Sequence, residues 1–290
     1  MVFTLKTRWG ITSVNPSISK RQRAGRPDLV NRCIGLAYIG LMVALPILAI
    51  SARAGGEGLG HLWQNVVQPD ALFSLRLTFL MALVMIILNA ITGTAMAWIL
   101  IRYHFPGQSL INALIDLPFA IPTIVTGLML VVLYGPQSSI GTFLTSHGVE
   151  VIYAKPGIVL ALLFVTFPFV VRTVQPVLME MDRDMEEAAV TLGAKRWRVF
   201  LRVVLPSILP AVLTGAGQAF SRALGEFGSV VMVAGNIPMK TQVAPVFIYG
   251  ELESYNARGA LGVSMVLLVS SFLILLLLNL MQNWGRRDGV

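Results

Sequence analysis

The sequence predicts an all-α polytopic membrane protein with about six transmembrane helices, and three observations predict it. Hydrophobic residues fill 56% of the 290 positions and charged residues only 12%, against about 25% charged in an ordinary soluble domain. The apolar positions gather into six runs, 33–51, 77–101, 113–134, 157–174, 207–224 and 260–283, each close to the ~20 residues that cross a hydrocarbon core. Lys and Arg are shared unequally between alternate loops, the pattern that orients a spanning chain. The net charge of +8 does not mark a nucleic-acid surface, because the basic residues flank apolar runs instead of forming a patch interleaved with aromatics. The single cysteine, Cys33, excludes an internal disulfide framework and any cysteine metal cluster.

Taken in order, residues 1–32 form a basic tail with seven Lys and Arg. The run 33–51 follows, ending in Ser51-Ala52-Arg53-Ala54, which has the small residues of a secretory cleavage site. The basic segment before it is too long, and the apolar run exceeds the usual ~7–15 residues, so 33–51 is predicted to stay as a first transmembrane helix. The main transmembrane region is predicted over 70–285. Its run 77–101 is long enough to tilt, and Asn89, Thr92 and Thr94 within it receive no role. The run 113–134 contains Asp116, Pro118 and Pro122. Two prolines predict a kinked helix whose freed backbone groups need partners or a water-filled cavity. A carboxylate repels anions, so Asp116 is read as structural or gating. The fifth run is the least apolar, carrying Ser221 and Arg222. Two small-residue series, Gly215, Ala219, Ala223 and Gly217, Ser221, Gly225, suit close approach of a helix from another subunit. The tail, Arg102, the 172–206 loop and the C-terminal end hold 16 Lys and Arg against six in the alternate loops. The excess puts both termini and the 172–206 loop in the cytoplasm.

That loop is the most informative stretch. Asp184 is placed to cap a helix whose third residue is Glu187, and Glu186 and Glu187 suit the positive end of its dipole. Gly193 stands just past the end of that helix, where a left-handed residue is needed. Lys195-Arg196-Trp197-Arg198 begins a second helix, with Pro206 at its end or at a kink. Ala188 and Ala189 keep one face small, so another protein surface can approach. The other use of such a hairpin is to lie on membrane lipid, with Trp197, Phe200 and Arg202 at the headgroups.

Glu187-Ala188-Ala189, three residues, Gly193, nine residues, Val203, one residue and Leu205-Pro206 together resemble the cytoplasmic signature of permease subunits of bacterial ABC importers. Val203 stands where Ile is commoner. Four further stretches narrow the likeness: Arg102-Tyr103-His104-Phe105-Pro106-Gly107, Asp116-Leu117-Pro118-Phe119-Ala120-Ile121-Pro122, Pro168 to Leu178, and Arg222-Ala223-Leu224-Gly225-Glu226-Phe227-Gly228. Over about residues 70–285 the chain resembles the sulfate and thiosulfate permease subunits of the CysT family. The sister CysW and molybdate ModB families share Gly225-Glu226-Phe227-Gly228, so a molybdate or tungstate permease is the alternative. The run Arg172-Thr173-Val174-Gln175-Pro176-Val177-Leu178 favours CysT. The basic tail matches no feature of the family.

The resemblance implies the type I ABC importer permease (MetI-like) fold in the bacterial inner membrane. It implies a heterodimer with a CysW-like permease, two copies of a CysA-like ATPase and a periplasmic sulfate/thiosulfate-binding protein, with no cofactor and no nucleic acid. The hairpin 180–206 is then the element that couples to the ATPase, through Glu187, Ala188, Ala189, Gly193, Leu205 and Pro206.

Ionisable residues inside a span are costly, so Arg222 and Glu226 are candidates for the translocation path by default. Four residues apart, they are also placed to neutralise each other on one helix. Thr123 and Thr126 are further candidates, although a Thr in a helix commonly bonds its own backbone. No Gly-Lys dipeptide occurs, so the phosphate-binding lysine of a P-loop is missing. The chain reads as a transporter subunit and not an enzyme, with ATP hydrolysed by a separate partner. His61, His104 and His147 have no metal-ligand spacing. A rival from another class, an ion-coupled secondary anion transporter, calls for coupling-ion sites and often inverted repeats; no convincing repeat is visible.

Overall fold

The computed structural model describes residues 27–56 and 58–285; the basic tail up to residue 26, together with Arg286 and Arg287, lies outside them. Among the described residues all regular structure is helical. The chain divides into two compact units, residues 1–49 and 50–290.

In the first unit α1 (Pro27–Ile39) passes through a π-helical turn, Gly40–Ala44, into α2 (Leu45–Gly56), which continues past residue 49 into the second. The π turn sits just before Leu45-Pro46. Widening the helix there accommodates the proline, which lacks an N–H and crowds the preceding turn. The helix runs on through Ser51–Ala54.

After the end of α2 the second unit continues with α3 (Leu59–Val67) and α4 (Pro69–Arg102). Then come α5 (Gln108–Ile115), α6 (Leu117–Ala120), α7 (Thr123–Tyr134), α8 (Ser139–Ser146) and α9 (Lys155–Glu180). Next are α10 (Asp184–Thr191), α11 (Arg196–Val199), a second π turn at Phe200–Val204 and α12 (Leu205–Leu224). The unit ends with α13 (Gly228–Ala234), α14 (Ala244–Glu253) and α15 (Ala257–Gly285). Among the described residues five helical stretches are long and apolar enough to cross a bilayer, and the bent pair α5–α6 and α7, counted as one span, makes six.

Helices α4, α9 and α12 form the core. Met81, Met85, Ile158, Leu162, Ala219 and Ala223 pack at one end, while Leu100, Val171, Val174, Leu178, Val204 and Ile208 pack at the other. Buried polar groups fix the register between them. Asn89 Nδ2 donates to the Thr166 carbonyl at 2.9 Å, and the backbone N–H of Ala244 donates to Thr78 Oγ1 at 2.8 Å, which ties α14 to α4. Such bonds matter in hydrocarbon, where no water competes for the donors. Outward-facing Leu80, Leu83, Ile87 and Ile91 leave the other side of α4 apolar.

The third span is broken more sharply than a kink. Its two halves meet at 114°, with Asp116 between α5 and α6 and Pro122 at the head of α7. The backbone is satisfied locally: Ile121 N–H donates to Leu117, and Val125 and Thr126 N–H donate to Pro122.

The small-residue series serve contacts inside the chain. A side chain on Gly215 would collide with Thr173 and with the backbone of Val170 and Phe169 on α9. One on Gly217 would meet only the end of Leu278 on α15. Backbone cannot yield and a leucine tip can. Gly215→Leu is therefore expected to cost about 3 kcal/mol and to lower the thermal midpoint of the purified assembly sharply, while Gly217→Ala leaves it near wild type.

Candidate functional site

The 184–204 hairpin forms with two changes from expectation. Asp184 is the first helical residue of α10, not its cap. Its N–H is accepted by Asp182 Oδ1 at 3.0 Å, so the carboxylate that serves the helix start stands two residues earlier. The turn after α10 follows the glycine prediction: Gly193 has φ +84°, Ala194 N–H donates to the Ala189 carbonyl and Gly193 N–H to Val190. That pair of bonds is the Schellman closure, which satisfies carbonyls a helix end leaves bare. The second helix of the hairpin is not separate. It runs from Arg196 through the π turn into α12 as one 29-residue stretch, with Pro206 just past the π turn where the missing N–H is tolerated.

Glu187, Ala188 and Gly193 are exposed, Ala189 is half-buried, and Leu192 at the turn is 89% exposed. A solvent-facing leucine beside two alanines is an apolar tip that nothing among the described residues covers. Leu205 packs partly against the core and Pro206 is exposed.

Two residues outside the hairpin hold it. Arg102, at the last turn of α4, forms an ion pair with Glu186 at 2.5 Å, and both side chains are largely buried. The Arg102 guanidinium lies 5.4 Å from the Trp98 ring centre, and Trp98 meets Phe200 edge-on at 5.2 Å. Trp98 and Arg102 thus share a face of α4, one turn apart. In the sequence Arg102 counts toward topology and toward the family likeness but has no assigned contact; a Trp and an Arg at i and i+4 in the last turn of a span are the signal for this one. Beside this contact a groove of about 880 Å³ is lined by Trp98, Arg102, Glu186, Glu187, Val190 and Trp197.

The path candidates come together at the far end of α12. Arg222 Nη1 lies 2.7 Å from Glu226 Oε2, but not on one helix: α12 ends at Leu224, and Glu226 sits in the turn before α13. Its other oxygen accepts from Ser229 N–H at 3.0 Å and Ser229 Oγ at 2.9 Å. Glu226 therefore caps α13 while pairing with Arg222, which explains how a carboxylate only 2% exposed is tolerated. Helix α13 lies against α7: Gly228 abuts Thr123, and Gly127 abuts Ser229. Thr126 Oγ1 is buried without a hydrogen-bond partner.

The helix α9 also extends beyond expectation, so Arg172, counted with the cytoplasmic loop, lies inside it and binds Asp116 at the break of the third span. The charge asymmetry survives the removal of Arg172 and Arg222 from the loops. Among the described residues no group of three or more His, Cys, Asp or Glu is placed to hold a metal.

The family described as binding-protein-dependent transport system inner membrane component matches residues 89–287. A probable sulfate transport system permease protein of Chlorokybus atmophyticus is 46% identical, covering 86% of this chain and 87% of its own length. A sulfate transport system permease protein of Synechocystis is 42% identical, covering 88% of this chain and 89% of its own. Among solved structures, a bacterial alginate ABC transporter in complex with a pentasaccharide-bound periplasmic protein has a chain that superposes with a TM-score of 0.72 at 16% identity. That match covers 88% of this chain and 94% of the other, a likeness of fold.

Proposed function

The chain belongs to the family of binding-protein-dependent transport system inner membrane components, and from that premise we propose that it is a permease subunit of an ATP-driven sulfate importer. The observation that carries the coupling reading is the 184–204 hairpin, whose exposed Glu187, Ala188 and Leu192 stand on a closed Schellman turn. Such a rigid, small-faced tip suits insertion into a partner. The absence of any Gly-Lys phosphate motif in the sequence supports a separate ATPase as that partner. In this reading the hairpin and both termini face the cytoplasm, as the Lys and Arg asymmetry supports. Two ATPase subunits close on ATP and move the hairpins of this chain and of a second, CysW-like permease. Rigid-body motion then switches the path between the two sides of the membrane, each state being favoured by its own contacts.

Sulfate is proposed from the relatives' names, with thiosulfate as a second cargo, delivered by a periplasmic binding protein. Arg222, Thr123 and Thr126 lie along the path, and Glu226 holds Arg222 in place. The open edge of Arg222, whose side chain is 38% exposed, and the unpartnered Thr126 hydroxyl support this assignment.

The test is anion uptake by vesicles containing the complete assembly. ATP-dependent sulfate uptake is expected, with loss of uptake when the ATPase subunit is omitted. Uptake that persists without it sinks the importer reading in favour of an ion-coupled carrier. Competition by thiosulfate and by molybdate in the same vesicles ranks the oxyanions, and a preference for molybdate overturns the assignment of cargo.

A further inference from the structure

The cluster around Arg172 carries the furthest inference. Its guanidinium uses every donor it has. Nε donates to Asp116 Oδ1 at 2.7 Å, and Nη2 donates to Asp116 Oδ2 at 2.6 Å and to the Asn112 carbonyl at 2.7 Å. Nη1 donates to Asn112 Oδ1 at 2.8 Å and to Gln175 Oε1 at 2.6 Å. Gln175 Nε2 closes the ring by donating to Asn112 Oδ1 at 3.2 Å. A planar guanidinium met side-on by a carboxylate is the arrangement it also offers to two oxygens of a tetrahedral anion.

Three features set this pair apart from a packing strut. It lies within the last third of α9 and near the start of the third span: Arg172 is eight residues before the end of α9 and Asp116 eight after the start of α5, about 12 Å along each helix. It is nevertheless open, with 30% of the Arg172 side chain and 49% of that of Asp116 exposed. Ionisable groups are costly against hydrocarbon, so the open side of this pair is expected to border an aqueous space or a partner. Finally, Asp116 stands at a joint, between α5 and the four-residue α6 and just ahead of the 114° break at Pro122. Movement of that joint withdraws the carboxylate without unfolding α9.

We propose that Arg172 is an oxyanion-binding residue on the hairpin side of the path, and that Asp116 is a tethered stand-in that occupies its fork until a divalent oxyanion exchanges for it. Asn112 and Gln175 position the guanidinium. The pair then works as a latch: with Asp116 in the fork the site is closed and neutral, and arrival of the anion frees Asp116 and α6 to move while Asn112 keeps α5 tied to Arg172. This inference rests on the oxyanion-importer reading above.

Binding of radiolabelled sulfate to the complete detergent-solubilised transporter, without its binding protein, tests it. Asp116→Asn removes the competing charge and is expected to raise sulfate binding about tenfold over wild type. In the Asp116→Asn background, Arg172→Lys keeps the charge but loses the fork and abolishes the gain. The exchange Asp116→Arg with Arg172→Asp restores a pair. It is expected to assemble as judged by gel filtration yet to transport sulfate at about a tenth of wild type or less. Full transport by the exchanged pair, or no gain in binding with Asp116→Asn, overturns the latch. Should Asp116→Asn not assemble, the exchanged pair still decides. Failure of the wild type itself to take up sulfate defeats the importer reading instead, so the two failures are distinguishable.

Discussion

Gly193→Val is expected to abolish co-purification of the ATPase subunit while the permease still inserts and accumulates in the membrane. At φ +84° a β-branched residue meets the steric cost of the left-handed region, about 1–2 kcal/mol. The strain falls on the two bonds that close α10, from Ala194 N–H to Ala189 and from Gly193 N–H to Val190. Nothing else is disturbed, since a Cβ at this position has open space around it. The turn therefore opens locally, and Leu192, 89% exposed, loses its fixed direction. A companion change, Glu187→Lys, leaves the turn intact and reverses a charge on the exposed face. It is expected to lose the same partner by a different route. Pull-down on a tagged permease, with membrane content measured in the same samples, reads both effects. Normal ATPase recovery with either variant removes the docking role from the hairpin.

Much of this architecture could be read from residues before any coordinates. Runs of about twenty apolar residues announce spans because the bilayer has one thickness, and Gly193 announced a left-handed turn because few other residues tolerate it. What escaped reading is equally physical. Helices α13 and α14 have seven and ten residues, too short to cross a bilayer, so hydropathy leaves them as loop although Val230, Val233, Val246 and Phe247 are buried in the core. Glu226 and Arg222 obey helical spacing, yet the helix ends at Leu224, and the bonds from Ser229 to Glu226 form only once the chain has turned into α13. The glycine and alanine series told of close helix contact but not of which partner, and the chain's own α9 and α15 took that role. Arg172 and Asp116 are 56 residues apart, and no local period connects them.

Arg102→Ala is expected to uncouple the hairpin from the transmembrane helices. The Arg102 and Glu186 side chains are 9% and 18% exposed, so removing one leaves the other inside with no counter-charge. Breaking such a pair costs about 3–5 kcal/mol, and Trp98 loses its stacked cation as well. The consequence differs from that of Gly193→Val because the docking face itself is untouched. The ATPase is expected to bind and hydrolyse ATP with its stimulation by the binding protein lost, and sulfate uptake falls with it. Glu186 precedes the Glu187-Ala188-Ala189 face, and this division gives the two neighbouring carboxylates different surroundings: Glu187 is exposed on the face proposed for docking and Glu186 pairs inward with α4. The exchange Arg102→Glu with Glu186→Arg distinguishes a mechanical link from a requirement for arginine at position 102. Recovery of coupled uptake by the exchanged pair supports the link, since either order of charges joins α10 to α4. Full coupling in Arg102→Ala shows instead that hairpin motion reaches the spans only through α9 and the continuous Arg196–Leu224 helix.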